Sequence, residues 1–215
     1  MNTNPGAKRI LCFGCSNTWG AIPYSQERLA PPLAWPEAMQ NILGSGFEVI
    51  NEGLFGRTLV AEDAGKKFKT GITHLEAILR SHEPLDLLII MLGTNDVKDR
   101  YQLEASQIAA HLQQVISLAK KILKNEPKRI LVICPPAVVV PETGELREEI
   151  KSGPKKFLDL PPLYKQVAER QQCFYLDANN HVFLKKTDGY HLDAAGHAAL
   201  AETVGVKVKE ILLQK

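Results

Sequence analysis

The chain is 215 residues long, 45% apolar and 23% charged, with a formal net charge of +2. That length suits a single domain, residues 1–215, with a sizeable core, and so small a net charge offers no electrostatic footprint for nucleic acid or an anionic membrane. No window approaches the roughly 18 apolar residues of a membrane span, and the first residues lack a basic-then-apolar leader, so a cytoplasmic location is expected.

An apolar run at 10–13 predicts the first strand, which breaks at Gly14 into a small polar turn carrying Ser16. Residues 35–43 predict a helix, with Pro36 suited to its first turn. A strand at 47–50 ends in Asn51-Glu-Gly-Leu-Phe-Gly56-Arg-Thr58, and a helix is predicted over 63–81. The run at 85–92 is almost continuously apolar, as in a strand covered on both faces, and it ends in Gly93-Thr-Asn95-Asp96.

Over 103–124 the residues Ile108, Leu112, Val115, Ile116, Ala119, Ile122 and Leu123 share one helix face. A second continuous strand follows at 130–134. The stretch 135–162, rich in proline, glycine and charge, is expected to be a long irregular loop with a functional or mobile character. A helix at 162–171 and a strand at 173–176 lead to Thr187-Asp188-Gly-Tyr-His191-Leu-Asp193. The last helix, 193–213, has Asp193 as N-cap and places His197 on its apolar face, as a core histidine.

Alternating strands and helices imply an α/β fold with a mostly parallel sheet and helices on both faces. Five strands without a dinucleotide glycine fingerprint suggest the flavodoxin-like order 2-1-3-4-5, with ligands bound beyond the carboxyl ends of strands 1 and 3. The lysine pairs Lys66-Lys67, Lys155-Lys156 and Lys185-Lys186 are scattered and read as solvated faces. Cys12, Cys134 and Cys173 lie in apolar runs and read as reduced core thiols. Cys12-Phe-Gly-Cys15 spells C-x-x-C, but Cys12 sits inside a strand and no second cysteine or histidine pair completes a metal site. No metal or other cofactor is expected.

In a parallel sheet the polar turns share one edge, where the groups for acyl transfer can converge. Serine is a poor nucleophile alone and needs a base, an orienter for that base, and donors for the developing oxyanion. Ser16 is the candidate nucleophile, His191 the base and Asp188 its orienter. The N–H groups of Ser16 and Gly56 and the side-chain amide of Asn95 are the candidate oxyanion donors. Gly-Lys-Ser/Thr and Gly-x-Ser-x-Gly are both absent, which disfavours a P-loop and an α/β-hydrolase nucleophile elbow.

Together these blocks resemble the SGNH, or GDSL-type, hydrolases. Phe13-Gly-Cys-Ser16-Asn-Thr-Trp-Gly20 is similar to the family's nucleophile block, and Asn51-Glu-Gly-Leu-Phe-Gly56-Arg-Thr58 to its second. Gly93-Thr-Asn95-Asp96 and Asp188-Gly-Tyr-His191 resemble the third block and the Asp-x-x-His block. The resemblance spans roughly residues 9–200 and is strongest to the arylesterase branch. It implies a three-layer α/β/α sandwich, small-molecule carboxylic esters as substrates, no metal, and often a homo-oligomer.

Trp19 and Phe55 are candidate walls of an acyl pocket, as is Tyr24; Trp35 suits the core equally well. A thioesterase, lysophospholipase or carbohydrate deacetylase would use the same machinery. The family pattern has Asp where Cys15 stands, which also motivates a non-catalytic binding descendant. Neighbouring residues at a strand end face opposite ways, so Cys15 is expected to point inward if Ser16 faces the cleft.

Overall fold

Strand β1 (Lys8–Gly14) is an interior strand of the sheet, and from Ile10 to Phe13 its side chains are apolar on both faces. Ile10 and Cys12 enter one core, and Leu11 and Phe13 enter the other. It is flanked by β2 (Phe47–Gly53) and β3 (Leu87–Met91), and the sheet continues through β4 (Ile130–Cys134) and β5 (Phe174–Asp177). The structure, a computed structural model, describes residues 4–63, 65–124, 129–184 and 186–213. All pairings are parallel and the order is β2-β1-β3-β4-β5, with Gly14 in register with Gly53 on one side and Met91 on the other.

Helices α2 (Trp35–Leu43) and α7 (Ala194–Leu213) cover one face of the sheet. Their Trp35, Met39, Leu200, Val204 and Val208 meet Ile10, Ile89 and Leu131. On the other face lie α3 (Gly71–His82), α4 (Ala105–Ile122) and α6 (Leu160–Arg170), whose Leu75, Leu112, Val115 and Tyr164 pack on Leu11, Phe13, Leu88 and Ile90. The result is the expected three-layer α/β/α sandwich with the expected strand order.

Local chemistry sets the helix starts. Glu104 and Gln107 form a reciprocal capping box, so α4 begins at Ala105 rather than 103. Asp193 caps α7 by accepting the Gly196 N–H at 2.8 Å, as its sequence predicts.

The helix predicted over 63–81 is shorter, because residues 67–70 turn back to pair with the β2 loop. Thr58 donates its N–H to Lys69 O (3.0 Å), and Gly71 donates to Thr58 O (3.0 Å). Helix α3 therefore starts only at Gly71; Ala64 of the predicted helix lies outside the described residues, as do Lys185 and residues 1–3.

The stretch 135–162 is less irregular than its composition suggests. It contains a 3-10 turn at Glu148–Ile150 and the short helix α5 (Gly153–Lys156), and it buries Val138, Leu146, Ile150 and Phe157. All four cysteines are free, and Cys12, Cys15 and Cys134 are buried. Among the described residues, no helix is long and apolar enough to cross a membrane, and no cluster of His, Cys, Asp and Glu has metal-site geometry.

Candidate active site

Beyond Gly14 the chain turns into α1 (Ser16–Trp19), a single helical turn that carries Ser16 at its start. Asn51 braces α1 from β2 by donating to Thr18 O at 3.0 Å. Ser16 Oγ lies 3.0 Å from His191 Nε2, and His191 Nδ1 lies 2.8 Å from Asp188 Oδ2. With the Nδ1 proton directed at a carboxylate, Nε2 presents its lone pair to the Ser16 hydroxyl.

Asp188 is held in turn. Its Oδ1 accepts the N–H groups of His191 (2.8 Å) and Tyr190 (3.2 Å), and its Oδ2 also accepts the Tyr24 N–H (3.1 Å). Burial pushes the Asp188 carboxyl up, but the His191 side chain and these backbone donors outweigh it and leave the group below the usual carboxylate range. Asp188 is thus a carboxylate at neutral pH, as an orienter of imidazole must be.

The other predicted site residues share this edge of the sheet. Gly56 sits in the loop after β2 with φ +81°, and that loop is tied to β1 by the Leu54 N–H on Gly14 O (3.1 Å). Asn95 follows β3 and is buried, and its Nδ2 donates to Arg57 O at 3.1 Å, which leaves a second amide hydrogen. Gly56 and Asn95 therefore flank the Ser16 turn from the two strands adjacent to β1.

Trp19 and Phe55 pack edge to face with ring centres 5.8 Å apart, and Phe55 is 5.8 Å from the His191 ring. Phe55 and Tyr190, the latter 4.4 Å from His191, thus flank the imidazole, with Trp19 behind Phe55. A cleft of about 420 Å³ opens here, lined by Tyr24, Phe55, Glu145, Arg147, Tyr190 and His191. Trp35 lies in the core instead, fully buried between α2 and the sheet. A larger groove, about 510 Å³, runs between Glu104 and Lys156 away from these groups, and neither a histidine nor a cysteine lines it.

Cys15 is fully buried in the core with Phe13, Leu59 and Val97, inward as the alternation at a strand end predicts, and its Sγ lies 4.0 Å from Ser16 Oγ. Burial pushes its thiol up, so it is not ionised at neutral pH. Two residues that the motif reading passed over turn out to be structural partners of the site. Asn17 donates to Tyr190 O (2.9 Å) and accepts the Leu192 N–H (2.9 Å), so it clamps the chain on both sides of His191. Arg57 reaches back under the Ser16 turn to Gly14 O (3.0 Å). Neither contact is visible in a motif, since each joins a side chain to backbone far along the chain.

A parallel α/β/α sheet of this strand order, with a Ser–His–Asp arrangement beyond its central strands, defines the class as an SGNH-type hydrolase. Residues 12–199 match the sequence model of the GDSL-like lipase/acylhydrolase family, and the chain belongs to that family.

The aryl esterase of M. smegmatis is 31% identical, covers 96% of this chain and 100% of its own, and superposes with a TM-score of 0.89. A carbohydrate acetylesterase from Sinorhizobium meliloti, also 31% identical, covers 95% and 100% with a TM-score of 0.85. An acetylxylan esterase of Xylanibacter ruminicola is 22% identical over 221 residues, and these span 94% of this chain but 43% of that relative's length. The likeness to the aryl esterase agrees with the arylesterase-type motifs.

Proposed function

We propose that the protein is a serine esterase that cleaves small carboxylic esters, aryl or acetyl, through an acyl-enzyme on Ser16. The observation that carries this reading is the unbroken contact from Ser16 Oγ through His191 to Asp188. Ser16 Oγ attacks the ester carbonyl while its proton passes to His191 Nε2. The tetrahedral oxyanion is held by the N–H groups of Ser16 and Gly56 and by Asn95 Nδ2. Collapse expels the alcohol, which takes the proton from His191. A water then attacks the acyl-enzyme with His191 again as base, and the acid leaves.

No metal is needed in this sequence of steps. The rings of Phe55 and Tyr190 beside His191, with Trp19 packed on Phe55, suit an apolar acyl or aryl group, and the related proteins named as aryl esterase and carbohydrate acetylesterase support aryl and acetyl esters. Cys15 gives no ground for an inert binding module, because the contacts from Ser16 to His191 and from His191 to Asp188 are made without it. Four free thiols, three of them buried, suit a reducing compartment, which supports a cytoplasmic location.

Hydrolysis of p-nitrophenyl acetate by wild type and Ser16→Ala tests the reading. The variant is expected to lose roughly 10³–10⁶-fold in turnover and all labelling by a fluorophosphonate. Equal rates in the two proteins would refute it.

A further inference from the structure

Three chain segments supply the oxyanion donors of the proposed mechanism, and one residue touches all three. The N–H of Arg57 donates to Leu54 O at 3.0 Å and closes the four-residue turn in which Gly56 is third, at φ +81°. A positive φ at that position is what a type II turn requires and what glycine supplies without strain. The Arg57 guanidinium folds back beneath this turn, where Nη1 donates to Gly14 O (3.0 Å) and to Glu52 O. Gly14 precedes Ser16 by two residues, so this bond holds the end of β1 from which the Ser16 turn departs. Finally, the Arg57 carbonyl accepts Asn95 Nδ2 at 3.1 Å and so orients the amide.

The side chain is well seated for this task. It is 4% exposed, and its Cζ lies 4.2 Å from the centre of the Phe13 ring, so guanidinium stacks on aromatic face while one nitrogen serves two carbonyls. Burial lowers the group to about 10, and it remains a cation at neutral pH.

We propose that Arg57 is the positioning residue of the oxyanion hole, setting the spacing between Gly56, Asn95 and the Ser16 turn. This rests on the reading of those three as oxyanion donors. Arg57 touches no substrate; it acts through the groups that do. Misplacing a donor by about 1 Å can cost on the order of 10²-fold in rate, which sets the scale of the effect.

The test is steady-state hydrolysis of p-nitrophenyl acetate by Arg57→Met, Arg57→Lys, Asn95→Ala and the double variant Arg57→Met/Asn95→Ala. Rates are expressed per active site, counted from the end point of fluorophosphonate labelling. Arg57→Met is expected to lower kcat by roughly 10²-fold with KM within about threefold, and Arg57→Lys by roughly 10-fold. A fold defect alone would lower the number of sites and not the rate per site. In the Asn95→Ala background, Arg57→Met is expected still to cost at least about 10-fold, because the guanidinium acts through Gly14 O and Glu52 O on the Ser16 and Gly56 donors, which that background keeps.

Wild-type kcat in the Arg57 variants, with Asn95→Ala impaired, would overturn the proposal and leave the oxyanion assignment standing. An Arg57→Met loss that disappears in the Asn95→Ala background would overturn it too, since the side chain would then act on none of the remaining donors. Wild-type kcat in Asn95→Ala would instead overturn the assignment beneath it, and the proposal would fall with it. Should Arg57→Met not fold, Arg57→Lys carries the same comparison alone and with Asn95→Ala, since it keeps the stem and the charge but loses the planar fork.

Discussion

Two potential nucleophiles, Cys15 and Ser16, stand side by side at the end of β1, and burial decides which of them meets the imidazole. Ser16 reaches His191 at 3.0 Å, whereas Cys15 is fully buried in the core with a thiol that burial keeps protonated. Cys15→Ser is therefore expected to keep esterase activity within about threefold while losing roughly 1–2 kcal/mol of stability to a buried hydroxyl. Kinetics and urea melts of the purified variant check this. Loss of activity with stability unchanged would mean that Cys15 is the nucleophile after all. The convergence of Ser16, Asp188, His191, Gly56 and Asn95 on one edge of the sheet was legible in the sequence because each lies in a polar turn beyond a strand. Arg57 and Asn17 were not, because they work on backbone atoms such as Gly14 O and Tyr190 O, which any sequence supplies.

Between elements, β2 comes directly up against the backbone of α1 at the site. A Cβ on Gly53 would stand 2.2 Å from Trp19 N and 2.6 Å from Thr18 C, both backbone atoms that no rotamer change can move. Gly53→Ala must therefore push α1, with Ser16, out of its place against β2 and disturb the 3.0 Å contact with His191. It is expected to cost roughly 1–3 kcal/mol of stability and to lower kcat by on the order of 10²-fold. Gly46→Ala is the control, because a Cβ there meets nothing within 4 Å and its rate is expected to match wild type. Thermal melts and rates on both proteins check the pair, and an unimpaired Gly53→Ala would remove the contact from the account.

The strands and their order were readable from apolar runs and crossovers. The start of α3 was not, since the pairing of Thr58 with Lys69 and Gly71 depends on where the β2 loop comes to rest. Likewise the apolar residues that dock 135–162 onto the core are spread among charges and prolines and show no period.

Across the whole molecule, the two cores on either side of the sheet each enclose a titratable group, and their effects on stability oppose one another. Asp96, on the Phe13 face, is pushed up to about 7 by burial, although the N–H groups of Leu59 and Val60 pull it back in part. His197, on the Trp35 face, is lowered to about 4 by burial, with Asp193 opposing, and its Nδ1 accepts the Trp35 N–H at 3.2 Å. Between about pH 4 and 7 the folded chain holds a proton on Asp96 that the unfolded chain releases, so this group favours folding less as pH rises. Between about pH 4 and 6.5 the unfolded chain holds a proton on His197 that the folded chain excludes, so that group favours folding more as pH rises. The two slopes nearly cancel in the shared window.

Half-buried His111, also lowered by burial, adds in the His197 direction, while Asp188 acts only below the ordinary carboxylate value. Urea melts at pH 4.5–6.5 are expected to show a nearly flat stability for wild type. Asp96→Asn exposes the histidine slope and gains up to about 1.4 kcal/mol per pH unit as pH rises, whereas His197→Asn shows the reverse. Parallel curves for all three proteins would mean that neither buried group changes protonation on folding. Opposite slopes would show that acid tolerance here comes from a balance between the two cores, since either group alone would tilt the fold's stability across the same range.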